Sequence, residues 1–111
     1  MGAQNLVAVL PPLYDLVCFH SQQSAEKYLK AQLQELGFRV PRTHNLEDLL
    51  DLLIPVDPTF KPLVRVAATL TRYAVDFRYP DDSATGRQAI AAIRRAGTIR
   101  RELRTRLGLR P

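Results

Sequence analysis

Three groups of side chains in this 111-residue chain have the types and spacing to do chemistry. Gln23, Lys27 and Lys30 follow one another at intervals of four and three, which places them on one face of a helix. Two ammonium groups and an amide on one face could meet phosphate oxygens and base edges. The same face would equally serve as a solvated surface, or as a dimer contact with the lysine stems laid along apolar neighbours. Arg78-Tyr79 is the second group: a guanidinium that could hold phosphate beside a phenol ring that could stack a base. Its structural alternative is an Arg78 pair with Asp81 or Asp82 that pins the turn, with Tyr79 packed against the first loop. The third group is the two histidines. His20 shares the face of Gln23 and reads as a satisfied surface histidine, while His44 stands just before a helix start, where its ring can cap backbone groups or pack on the long helix. No further His, Cys or acid stands at ligand spacing, so no metal site and no cofactor is expected. Glu26 precedes Lys30 by four residues and is expected to order a neighbouring cation. Cys18 falls on an apolar stripe, with no base placed to activate it.

Helices must position these groups. Tyr14, Cys18, Ala25, Leu29, Leu33 and Leu36 make one apolar stripe over residues 13–36, and Gly37 ends it. Phe38 to Thr43 reads as a loop. Asn45 or Thr43 caps a second helix whose apolar face is Leu46, Leu49, Leu50 and Leu53, stopped by Pro55 and Pro58. A third is expected over Phe60–Arg78, with Phe60, Leu63, Val64, Ala67, Leu70, Thr71, Ala74 and Phe77 at helical spacing and an Arg72–Asp76 pair outside. The last runs from about Ala84 to Leu107 on Ala89, Ala92, Ile93, Ala96, Ile99, Leu103 and Leu107, with Gly108 as its cap. Gly97, beside that stripe, suggests a close helix approach. Residues 6–10 form a short helix or an irregular lead-in. No segment alternates with period two. The expected fold is all-α: an antiparallel up-and-down bundle of four to five helices in one domain spanning residues 1–111.

Composition sets the limits. Apolar residues make up 46% and charged residues 24%, the balance of a globular chain rather than a disordered one. A single cysteine rules out an internal disulfide. No apolar run reaches membrane-spanning length, and the N-terminal segment lacks the basic start of a signal peptide, so a cytoplasmic location and no membrane partner are expected. A core of this size is modest, and a second subunit would add to it. The net charge of +5 is uneven: residues 84–111 carry eight arginines against the one acid Glu102, leaving residues 1–83 slightly acidic. The C-terminal segment therefore reads either as a solvated basic face or as a surface for nucleic acid or an acidic partner.

Three blocks, F-H-S-Q-Q-S-A-E-K-Y-L-K-A (Phe19–Ala31), P-R-T-H-N-L-E-D-L-L (Pro41–Leu50) and F-R-Y-P-D (Phe77–Asp81), resemble in order and spacing the HEPN (higher eukaryotes and prokaryotes nucleotide-binding) domain. The resemblance covers roughly residues 13 to 107. It implies an up-and-down helical bundle, frequent homodimers, and small prokaryotic members encoded beside a minimal nucleotidyltransferase in toxin–antitoxin-like pairs. It further implies a nucleotide- or RNA-binding or regulatory partner of such an enzyme, with Gln23, Lys27, Lys30, His44, Arg78 and Tyr79 as binding residues. The alternative it offers is a metal-independent ribonuclease toxin. That branch carries an arginine, four to six residues, then a histidine, which acts as acid or base on the ribose 2′-OH while the arginine holds phosphate. Arg39-V-P-R-T-His44 is a literal match. Val40 stands where a polar residue is usual, and the match lies in a loop rather than on a later helix. Arg39 or Arg78 would be the arginine partner of His44. The short stretch ahead of Phe19 also implies a truncated or displaced first helix.

Overall fold

Gly37 and Gly108 adopt φ of +85° and +77°, the left-handed conformation that glycine enters without a Cβ clash, and each closes a long helix. After the first helix, Phe38 N–H reaches Leu33 O at 2.9 Å and Gly37 N–H reaches Gln34 O at 3.0 Å. After the last, Leu109 N–H reaches Arg104 O at 2.7 Å and Gly108 N–H reaches Thr105 O at 3.1 Å. Both are Schellman closures, which satisfy carbonyls that a helix end would otherwise leave bare.

The structure, a computed structural model, describes residues 13–76 and 83–110. They form α1 (Leu13–Glu35), α2 (Leu46–Leu53), a 3₁₀ turn (Pro58–Phe60), α3 (Leu63–Asp76) and α4 (Gly86–Arg106), with no strand among them. The lead-in at residues 6–10, the Phe77–Asp81 block with Arg78 and Tyr79, and the expected Asp82 cap lie outside the described residues, as does the Asp76 side chain of the expected Arg72 pair.

The three long helices alternate in direction. Asp15 Oδ1 accepts from Ala84 N–H at 2.6 Å near one end of the molecule, and Arg104 Nη1 donates to Tyr28 Oη at 3.2 Å near the other, so α1 and α4 run side by side in the same sense. α3 returns between their ends: Phe60 and Thr59, just ahead of it, meet Arg106 at the end of α4, whereas Thr71 and Ala74 meet Phe19 and Gln22 early in α1. α1 packs most extensively on α4. Gly86, at the start of α4, faces the Tyr14 ring of α1, which a Cβ there would meet at 3.4 Å.

The core has two compositions. At the Arg106 end it is bulky: Leu29, Leu33, Leu49, Leu50, Leu53, Phe60, Ile99 and Leu103 are all buried. Toward the Asp15 end it is smaller on α1 and α4 and partly polar: Cys18, Ser21, Gln22, Ala25, Ala89, Ala92 and Ala96, with the buried Leu46 and Leu70 next to the cleft residues Asn45 and Thr71.

Several expectations change. The helix expected from Phe60 begins instead at Leu63. Asp57 accepts from Thr59 N–H and, with Pro58 behind it, winds a separate 3₁₀ turn. Pro62, which has no N–H to contribute, then suits the start of α3. Ile93 is 56% exposed, because the buried line of α4 follows Ala89, Ala92, Ala96, Ile99 and Leu103, and Ile93 sits one residue round the helix from it. Tyr14 and Leu36, at the two ends of the α1 stripe, are exposed, and Leu107 is half-buried. No neighbouring helix approaches Gly97 among the described residues: a Cβ there would meet only the Arg101 guanidinium, at 3.2 Å.

Candidate functional site

The return loop between α1 and α2 builds the site. Gly37 turns the chain back, Phe38 and Val40 pack against the core, and the segment runs alongside α1 as far as Gln22 and Glu26. There Thr43 Oγ1 accepts from Asn45 N–H at 3.1 Å and donates to Asp48 at 2.9 Å. Asn45 Oδ1 accepts from Glu47 N–H at 2.8 Å and Asp48 N–H at 3.4 Å, capping α2 with acids in its first turn, where the helix dipole favours them. His44 is thereby fixed between two capping residues.

Two residues of α1 clamp it. Gln22 Nε2 donates to His44 O at 2.7 Å. The Glu26 carboxylate accepts from His44 Nδ1, at 3.1 Å to Oε1 and 3.2 Å to Oε2. A carboxylate offers only acceptors, so the hydrogen sits on Nδ1 and Nε2 is left facing outward on a ring that is 87% exposed. Glu26 also pairs with Lys30 at 3.1 Å, as its spacing predicts.

Around this clamp lies a cleft of about 520 Å³, walled by Phe19, Gln22, Gln23 and Glu26 from α1, His44 and Asn45 from the return loop, and Thr71 and Ala74 from α3. Its size falls in the ordinary range for small-molecule sites. Gln22 Oε1 and Thr71 Oγ1 are both buried without a hydrogen-bond partner among the described residues.

Of the residues singled out in the sequence, Gln23 and His44 meet here from separate elements. Lys30 stands one ion pair behind the wall. Lys27 is exposed and makes no ion pair among the described residues. Arg39 is exposed and is not among the described residues that line the cleft, so the Arg39–His44 pair is not brought together there. Arg78 and Tyr79 lie outside the described residues. His20 does not share the cleft with Gln23. It lines a shallow groove on the opposite flank of α1, with Ser21, Ser24, Ile93, Gly97 and Arg100, and its ring meets the edge of Phe19 at 5.9 Å.

Gln22, Thr71 and Phe19 are cleft residues not singled out as functional in the sequence; spacing placed Thr71 only on the stripe of the third helix. Gln22 falls between Cys18 and Ala25 on the apolar stripe, and a glutamine at a core position was the available signal.

Other chemistry-bearing groups have structural work. Burial, with the Asp15 charge adding to it, pushes the Cys18 thiol up, as expected of an inert core cysteine. The Arg104 guanidinium, seconded by Arg100, lowers the Tyr28 phenol. No three His, Cys, Asp or Glu side chains converge as a metal set among the described residues, and no described helix is long and apolar enough to cross a membrane.

Compared with known proteins, residues 11–106 match the family model described as the HEPN domain. No curated protein and no solved structure gives a match.

Proposed function

The chain belongs to the HEPN domain family, and from that premise we propose that it is a nucleotide- or RNA-binding module, the regulatory partner of a minimal nucleotidyltransferase in a toxin–antitoxin-like system of the cytoplasm. One observation carries this reading: a cleft of ligand size has Gln23 and His44 in its walls, with Lys27 and Lys30 further along the same helix. Amides and an imidazole offer base-edge and ribose contacts, and the lysines offer phosphate contacts. Arg78 and Tyr79, which follow α3 in the sequence and lie outside the described residues, complete the proposed set. A homodimer is part of the proposal, because Ile90 and Ile93 are each more than half exposed on α4 and a second copy would cover them.

The ribonuclease reading keeps one specific support. Glu26 holds His44 by Nδ1 and leaves Nε2 free at the surface, the posture of a general base. Against it stands the exposed position of Arg39 away from the cleft wall.

Two measurements decide. Calorimetric titration of the purified protein with nucleoside monophosphates and short RNA should give saturable binding that Lys27→Ala weakens, and no heat with any of them would refute the binding role. Incubation with total RNA in EDTA should leave the RNA intact. Cleavage that disappears in His44→Ala would install the nuclease reading instead. The regulatory partnership predicts a nucleotidyltransferase in the neighbouring reading frame and its co-elution with this protein.

A further inference from the structure

The polar atoms of the cleft are unevenly matched. Gln22 is only 4% exposed, and its Nε2 is spent on His44 O at 2.7 Å. The amide therefore cannot turn over, and Oε1 is fixed in place as an acceptor with no donor among the described residues. Thr71 Oγ1, across the same cleft on α3, is likewise buried and unmet. The nearest charge in the wall is the Glu26 carboxylate, and no lysine or arginine is among the described residues lining the cleft. Buried polar atoms are nearly always paired in folded proteins; three oxygens among the described residues are not, and while Gln32 Oε1 stands apart, the other two share this one cleft, where a ligand can supply what the protein lacks. Phe19 adds a flat aromatic wall that is 45% exposed, the kind of surface on which a base stacks.

We propose that this cleft is the base pocket of the binding site, and that it selects a nucleobase with an exocyclic amine, stacked on Phe19 with the amine donating to Gln22 Oε1. The inference rests on the nucleotide-binding reading above and adds which end of the nucleotide enters. Phosphate is the wrong occupant: it brings acceptors to an acceptor and negative charge to Glu26. It stays outside, on the lysine side of α1. Thr71, whose hydroxyl can donate or accept, completes the base contact. A base lacking the amine leaves Gln22 Oε1 buried and unpaired, and discrimination follows from that unmet group.

The test is calorimetric titration with adenosine, inosine and inorganic phosphate. Inosine carries a carbonyl oxygen where adenosine carries the amine. Adenosine should bind at least tenfold more tightly than inosine, and phosphate alone should not compete with it. Gln22→Met, with its fold checked by circular dichroism, should bring the two nucleosides to equal affinity. Thr71→Val keeps the side-chain shape and does not touch the His44 clamp, so it serves if Gln22→Met fails to fold, and it should weaken adenosine several-fold. Phe19→Ala should weaken both nucleosides alike. Equal affinities in the native protein would overturn the inference while leaving nucleotide binding intact. So would phosphate displacing adenosine, or a crystal structure with one water bridging Gln22 and Thr71 that adenosine does not displace. No binding of any nucleoside or nucleotide would overturn both readings.

Discussion

The two ends of this bundle handle polarity in opposite ways. At the Arg106 end, polar groups are largely paired, with Gln32 Oε1 the exception among the described residues. Arg106 donates to Asp57 at 2.8 Å, to Glu102 at 2.9 Å and to Thr59 Oγ1 at 2.6 Å, and its guanidinium lies 4.0 Å from the centroid of the Phe60 ring. Beneath that staple the core is leucine and phenylalanine. Toward the Asp15 end the buried residues of α1 and α4 are alanine, cysteine and serine, with Leu46 and Leu70 the larger side chains beside the cleft; Gln22 is buried among them, and two buried oxygens go without partners. Cohesion is concentrated at one end, and two of the three unmet buried oxygens among the described residues lie in the cleft at the other. A ligand site needs such a division, because groups already satisfied by the fold have nothing to offer a ligand.

The sharpest way to break the comparison is to remove mass from the cohesive end. Leu33→Ala, at a fully buried position, should cost about 2–5 kcal/mol in denaturant unfolding. Adenosine affinity measured well below the midpoint should stay unchanged. Arg106→Ala should cost less, about 1–2 kcal/mol, by losing the Phe60 stack and the bonds to Thr59. The same staple gives a pH signature. The bonds from Thr59, then the Arg106 charge, hold Asp57 below the ordinary aspartate value. A carboxyl lowered by folding adds stability that is present above its unfolded pKa and lost as pH falls through the folded one. Asp57→Asn should therefore lower stability at neutral pH and flatten the decline below about pH 4. At the polar end the sign reverses. Thr71→Val deletes a buried, unpaired hydroxyl at constant shape and should leave stability equal or raise it by up to about 1 kcal/mol, while weakening adenosine. A clear loss of stability in Thr71→Val would mean that the two ends do not differ as described.

What could be read in advance was local. The stripes of α1 and α2, the Asn45 cap, the Gly37 and Gly108 closures and the Glu26–Lys30 pair each depend on residues within one or two turns, and the helical repeat announces them. The errors came where geometry is not local. His20 and Gln23 are three apart on one helix, yet each faces a different groove, because α4 packs on one flank of α1 and the return loop on the other. Ile93 fits an apolar count, but only the packed helices decide which line of α4 turns inward. Gln22 and Thr71 line one cleft from 49 positions apart in the chain. Arg106 counts among eight C-terminal arginines, and nothing in its neighbours separates the staple from the solvated ones. The Arg39–His44 match is a case of adjacency without assembly: the return loop delivers His44 to α1 and leaves Arg39 at the surface.

Cys18 has a consequence of another kind. It is the only thiol in the chain, is 1% exposed, and lies one helical turn before Gln22. A thiol so buried reacts with an alkylating reagent only when its surroundings open, so its labelling rate clocks the breathing of the polar end with no engineered probe. That end has the smaller side chains and should open more often than the leucine end. An occupant in the cleft would hold α1 against α3 and lengthen the thiol's lifetime.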